Sequence, residues 1–204
     1  TLNERAGNTK LINKGAIQTQ GEHSMGVIIQ SIANGGGIGS SNSGNVDLRS
    51  KSQSESGEIT IENSGTIETS GTGSHGIVAQ SISGSGGFVF GNSHKHQPIE
   101  LERQITAESK DITLKNKGTI LTRGDNAIAV LAQTAAGGAY IYQNPDGTTS
   151  RVTAALAHPS KKAGDVVVIN SGSIIATGRG GIGITKSTNP VPIESNLRVV
   201  NTAT

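Results

Sequence analysis

Leu11-Ile12-Asn13-Lys14-Gly15-Ala16-Ile17 is written again as Ile61-Glu62-Asn63-Ser64-Gly65-Thr66-Ile67, as Leu114-Lys115-Asn116-Lys117-Gly118-Thr119-Ile120 and as Val168-Ile169-Asn170-Ser171-Gly172-Ser173-Ile174. Self-similarity of this kind marks a repeat architecture and outranks any local pattern. A further copy opens at Leu197-Arg198-Val199-Val200-Asn201, so the repeat is expected to run on past this chain. Outward from the asparagine, each full copy reaches a second glycine eight residues on (Gly21, Gly71, Gly124, Gly178). An apolar run follows, such as Met25-Gly26-Val27-Ile28-Ile29-Gln30-Ser31-Ile32 or His75-Gly76-Ile77-Val78-Ala79-Gln80-Ser81-Ile82. Just before the asparagine, apolar residues fall two apart: Ile59 and Ile61, Ile112 and Leu114, Val166 and Val168. Period two predicts strands, and the bounding glycines supply the turns between them.

One unit cannot bury its own apolar row, so units must stack, each strand pairing in parallel with its equivalent at a spacing of about 4.8 Å. The expected fold is therefore all-β: a right-handed parallel β-helix, or β-solenoid, of about four three-strand rungs with inserted β-hairpin arms. Stacking places Ile17, Ile67, Ile120 and Ile174 in one internal column, and Val27, Ile77, Val130 and Ile184 in another. Asn13, Asn63, Asn116, Asn170 and Asn201 form a third column on the inward parity. An inward amide is tolerable only if satisfied, and a ladder satisfies it, because each amide both donates and accepts. Gln30, Gln80 and Gln133 are expected to do the same at the third strand.

Composition agrees with a thin core of small, regularly placed aliphatics. Of 204 residues, 32% are hydrophobic, 2% aromatic and 29 are glycine, against about 45–50% apolar in an average domain even with glycine counted. A formal charge of +2, with both signs interspersed, lacks the one-sided footprint of a nucleic-acid binder, and no nucleic-acid partner is expected. With no cysteine there is no disulfide framework and no thiolate metal site. No leader-like segment and no apolar run near 18 residues occurs, so neither a signal peptide nor membrane insertion is expected of this segment.

The asparagines lie 50, 53 and 54 residues apart, about twice what a three-strand coil consumes, and then 31 apart. Repeat units are placed at about 9–58, 59–111, 112–165 and 166–196, with a partial unit at 197–204, the whole forming one solenoid segment. Inserted arms are placed at about 34–57, 84–110 and 137–164, each starting at a glycine cluster. Two arms read as hairpins: Phe88-Val89-Phe90 returning through Pro98-Ile99-Glu100-Leu101, and Tyr140-Ile141-Tyr142 turning at Asn144-Pro145-Asp146-Gly147 into Arg151-Val152-Thr153. All four aromatics fall in these arms, which are expected to cover the outward-parity residues Ile28, Val78 and Leu131. Thr185-Lys186-Ser187 replaces the apolar run in the last unit and predicts an irregularity there.

The pattern Asn63-x-Gly65-x-Ile67, then Gly71, then Ser74-His75-Gly76-Ile77-Val78-Ala79-Gln80-Ser81-Ile82 and the glycine cluster up to Gly87 resembles the repeats of large Gram-negative autotransporter passenger domains. The resemblance spans most of the chain. It implies an exported β-helical stalk at the bacterial cell surface, with roles in adhesion, aggregation or biofilm. The partners it implies are a host or bacterial surface protein or glycan, or other copies of the chain through end-to-end homo-assembly.

Candidate chemistry is sparse. Arg123-Gly124-Asp125 resembles the integrin-binding tripeptide and sits at the turn glycine, where charged neighbours point to solvent. The equivalent triplets Gln20-Gly21-Glu22, Ser70-Gly71-Thr72 and Thr177-Gly178-Arg179 make polar flanks the rule at that turn. Gly178 to Ser187 lacks the Gly-Lys pair of a phosphate loop, and Gly35 to Gly39 lacks the aspartate of calcium-binding repeats. His94-Lys95-His96 offers two imidazoles where a metal site needs three or four ligands. His75 shares the column of Met25, Ile128 and Ile182 and reads as packed. Glu62 and Glu68 have no acid partner one rung away, unlike the paired carboxylates of a glycosidase. No cofactor, metal or catalytic residue is expected. The functional expectation is a non-enzymatic structural and adhesive surface segment, with a self-assembling filament subunit as the alternative and a polysaccharide-degrading β-helix or phage tailspike behind both.

Overall fold

The computed structural model describes residues 5–41, 46–48, 54–91, 99–101, 107–153, 162–187 and 196–202. They contain strands and turns and no helix. The chain first runs through β1 (Thr9–Asn13), β2 (Ala16–Thr19), β3 (Val27–Ile32), β4 (Gly36–Ser41) and β5 (Val46–Leu48). It repeats the path in β6 (Ile59–Asn63), β7 (Thr66–Thr69), β8 (Ile77–Ile82), β9 (Gly86–Gly91) and β10 (Ile99–Leu101). Next come β11 (Ile112–Asn116), β12 (Thr119–Thr122), β13 (Ile128–Ala135), β14 (Ala139–Gln143) and β15 (Thr149–Thr153), then β16 (Val166–Asn170), β17 (Ser173–Ala176), β18 (Ile182–Ser187) and β19 (Leu197–Asn201).

Equivalent strands stack in parallel and in register. The first sheet has the order β1-β6-β11-β16-β19, the second β17-β12-β7-β2, the third β18-β13-β8-β3 and the fourth β15-β14-β9-β4. Asn13 stands against Asn63, Asn63 against Asn116, Asn116 against Asn170 and Asn170 against Asn201. The isoleucine column Ile17, Ile67, Ile120 and Ile174 and the column Val27, Ile77, Val130 and Ile184 form as the repeat predicts.

In β6 and β11 burial alternates, with Ile59, Ile61, Ile112 and Leu114 pointing inward to meet Ile67, Ile120, Ile77 and Val130. The third sheet behaves differently. β8 and β13 are buried along their whole length, because the first core lies on one face and a second cluster, Val78, Phe88, Ile128, Leu131 and Ile141, on the other. A parallel strand covered on both faces reads as a continuous apolar run, which is what Ile77-Val78-Ala79 and Ile128-Ala129-Val130-Leu131 are.

The second cluster corrects the reading of the inserts. Phe88-Val89-Phe90 does not fold back onto Ile99-Glu100-Leu101; β9 lies in parallel between β4 and β14, while β10 pairs in parallel with β5. The physical reason is that each glycine cluster turns the chain onto a further face, where the insert stacks on its own equivalents as the other strands do. Among the described residues only Tyr140-Ile141-Tyr142 closes a hairpin, antiparallel to Ser150-Arg151-Val152, with Asn144 N–H bonded to the Thr148 carbonyl at 2.8 Å across the turn. The cover on Ile28, Val78 and Leu131 is as expected, Phe88 and Phe90 packing there with ring centroids 5.0 Å apart. At Thr185-Lys186-Ser187 itself β18 keeps register with β13, Leu131 facing Thr185 and Gln133 facing Ser187, and the rest of that unit, between Ser187 and Asn196, lies outside the described residues.

The polar columns are closed by hydrogen bonds. Asn13 Nδ2 donates to Asn63 Oδ1 at 2.8 Å, Asn63 Nδ2 to Asn116 Oδ1 at 2.7 Å, Asn116 Nδ2 to Asn170 Oδ1 at 2.7 Å and Asn170 Nδ2 to Asn201 Oδ1 at 3.2 Å. Each of the first four also reaches the carbonyl two residues ahead, Gly15, Gly65, Gly118 or Gly172. Truncating Asn116 removes its own bonds, takes the ladder partner from one N–H of Asn63 Nδ2 and takes the Asn116 donor from Asn170 Oδ1, both inside. Asn116→Ala should lower stability by about 2–4 kcal/mol and Asn201→Ala, at an exposed position, by under about 1 kcal/mol. Urea denaturation followed by circular dichroism measures both, and equal effects would contradict the ladder.

Candidate functional site

The asparagine column belongs to the interior. Asn63 and Asn116 are each 1% exposed, and Asn13 and Asn170 are buried beside them. The glutamines form a second ladder, Gln30 Nε2 to Gln80 Oε1 at 2.7 Å and Gln80 Nε2 to Gln133 Oε1 at 2.8 Å. It ends on Ser187, whose hydroxyl accepts from Gln133 Nε2 at 3.4 Å. These amides are used up in holding one another.

Arg123, Gly124 and Asp125 sit at the turn between β12 and β13, with Arg123 exposed and Asp125 half-buried. Each charged side chain is tied to a different neighbour in the stack. Arg123 Nε lies 2.8 Å from Glu68 Oε1; Asp125 Oδ1 accepts the Arg179 backbone N–H at 2.9 Å, and its Oδ2 lies 3.4 Å from Arg179 Nη2. Exposed pairs of this kind contribute about 1 kcal/mol or less, so a ligand could displace them at small cost. Gly124 is there for packing, since a Cβ on it would stand 1.8 Å from the Gly71 carbonyl oxygen. Gly71 and Gly178 are held by the same approach of the preceding turn.

His75 is fully buried, its ring edge-on to Phe88 with centroids 6.3 Å apart. Its Nδ1 accepts the Ile128 backbone N–H at 3.0 Å, so the neutral ring carries its proton on Nε2. Nε2 lies 3.5 Å from Gln143 Nε2, which donates to the Gly73 carbonyl. A ring in this tautomer has no free lone pair for a metal ion. Among the described residues no group of three or more His, Cys, Asp or Glu is arranged to hold one. His94-Lys95-His96 lies outside the described residues.

The outer face of the first sheet holds a groove that the repeat reading passed over. It has a volume of about 330 Å³ and is lined by Ile12, Lys14, Glu62, Asn63, Ser64, Lys115 and Lys117. β1, β6 and β11 and the turns after them position it, because register sets Ile12, Glu62 and Lys115 side by side. The signal was present in the sequence, as cationic residues recur on the outward parity around the asparagine. Comparison with family models, with curated proteins and with solved structures finds no match for this chain.

Burial first, and then the nearby His23 and Arg151, push the His75 imidazole down from 6.5 to about 4. The unfolded chain therefore takes up this proton at a higher pH than the folded chain. The neutral ring's contribution is whole above pH 6.5 and is lost as pH falls from 6.5 toward 4, a loss of about 3 kcal/mol in all. Urea midpoints at pH 7 and pH 4.5 should fall further for the parent chain than for His75→Met, which copies Met25. Equal falls would show that His75 does not carry this dependence.

Proposed function

We propose that this chain is a non-enzymatic structural and adhesive segment of an autotransporter-like surface protein, displayed outside a Gram-negative bacterium. In this reading the stack is a right-handed parallel β-helix of about four rungs. It acts as a stiff spacer whose outward turns and inserts touch a host or bacterial surface protein or glycan. The observation that carries the reading is the unbroken asparagine ladder from Asn13 to Asn201. A polar column spent on joining successive coils makes a long rigid body, and weak contacts repeated along such a body add through avidity. The Arg123-Gly124-Asp125 turn is one such contact point, with Gly124 needed for stacking whatever its flanks do.

A second reading, end-to-end self-assembly into a filament, is favoured by one observation. Leu197 and Val199 of β19 lie on the inward parity yet are 42% and 41% exposed, leaving apolar side chains and strand edges for a further coil to cover. In this reading that coil belongs to another copy.

The test is to tag the protein in its native cell and treat intact cells with protease. The reading expects the tag in the outer-membrane or secreted fraction, cleaved without lysis, and cells lacking the gene to lose surface attachment or aggregation. A tag protected inside intact cells would overturn it.

A further inference from the structure

The groove beside β1, β6 and β11 has three features that belong together. Its cations are available: Glu62, the carboxylate in the groove, pairs with Lys10 at 3.0 Å, whereas Lys14, Lys115 and Lys117 have no ion-pair partner among the described residues. Glu62 is held ionised below the usual carboxylate range, chiefly by the hydrogen bond from Lys10 and further by the charges of Lys10, Lys115 and Lys117. Lys115 and Lys117 line the same groove as Glu62.

Its wall is partly apolar, since Ile12 is 52% exposed there although its strand neighbours pack inward. Its length is set by the stack. Lys14 and Lys117 occupy equivalent positions two coils apart with Ser64 between them, which separates their backbones by about 10 Å. An extended disaccharide spans that length. A sugar polymer offers what this surface lacks: an apolar ring face for Ile12, hydroxyls for Ser64, and an acid group at each cationic position.

We propose that this groove binds an anionic polysaccharide bearing carboxylate or sulfate on alternate sugars. Lys14 and Lys117 meet successive acid groups, Lys115 adds charge on the same coil as Lys117, and Ile12 supports a sugar ring. The inference rests on the surface reading above for its partner being an extracellular glycan. Nucleic acid is the poorer fit, because the described groove has no aromatic side chain on which bases would stack and the chain carries only +2 overall.

The test is calorimetric titration of the full chain with chondroitin oligosaccharides, which carry carboxylate alone, chondroitin sulfate oligosaccharides, which carry both groups, neutral dextran and duplex DNA. Binding to one or both acidic glycans is expected, at least tenfold weaker after Lys14→Gln, Lys115→Gln and Lys117→Gln are combined, and much weaker at 0.5 M than at 0.05 M salt, roughly as screening of exposed charge dictates. The charge-matched set Arg5→Gln, Lys162→Gln and Arg198→Gln should bind as the parent does. Glu62→Gln should bind more tightly, having lost the one carboxylate that lines the groove among the described residues. Which glycan binds separates carboxylate from sulfate as the recognised group. No glycan binding, equal loss in both triple variants of preserved circular dichroism, or equal lysine-dependent binding of DNA would overturn the proposal. A surface-exposed protein without glycan binding sinks this inference alone, and lysine-dependent binding by a protein confined inside the cell sinks the surface reading alone.

Discussion

Successive turns of this chain lie so close that they must follow the same backbone path, and the hydrogen bonds between them exist only in that register. A Cβ at Gly65 would stand 1.9 Å from the Gly15 carbonyl oxygen, one at Gly118 1.9 Å from that of Gly65, and one at Gly172 2.0 Å from that of Gly118. The asparagine beside each of these glycines bonds its equivalent on the next turn. Slipping one turn by a single residue would bury Lys14 or Glu62 where an amide now sits and would press a side chain into a carbonyl. Apolar columns alone would tolerate more, since isoleucine and valine interchange with modest loss. Polar ladders and close glycines supply uniqueness, and the aliphatic columns supply most of the burial energy.

The part of the fold that rests on this constraint was legible in the residues. Asn13, Asn63, Asn116 and Asn170 declare the period, and the parity of Ile59 and Ile61 or Ile112 and Leu114 declares strands facing inward. The fourth sheet was not legible, for a physical reason. Gly36-Gly37-Ile38-Gly39-Ser40-Ser41 has no strand propensity of its own and reads as a loop, yet it pairs along its length with Gly86 to Gly91. Its extension is imposed by the neighbouring turn, whose carbonyl would lie 1.7 Å from any Cβ at Gly36. The aromatics misled in the same region, because Phe88 and Phe90 suggest a hairpin when their work is to cap Val78 and Leu131 from a parallel strand.

The same division separates interior from surface chemistry. Buried polar groups such as Gln80 and His75 are held by partners one turn away, so their chemistry is absorbed into stacking. On the outward parity, neighbouring turns need match only in backbone path, and side chains there are free to differ. That freedom places Ile12 beside Glu62 and Lys115, and Glu68 beside Arg123, in combinations that no single repeat contains. Such surface features are invisible in a list of motifs and become readable once the columns are written side by side.

The register itself is the claim to which everything else is attached, and the absence of native cysteine makes it directly measurable. Thr60 and Thr113 are register partners on adjacent turns, both half-buried. Paired strand positions lie about 4.8 Å apart, within disulfide reach, whereas Thr60 and Lys115 lie about 8 Å apart and outside it. Mild oxidation should cross-link the Thr60→Cys, Thr113→Cys chain nearly completely and leave the Thr60→Cys, Lys115→Cys chain reduced. Preferred cross-linking of the second pair, or none in the first, would contradict the in-register parallel stack.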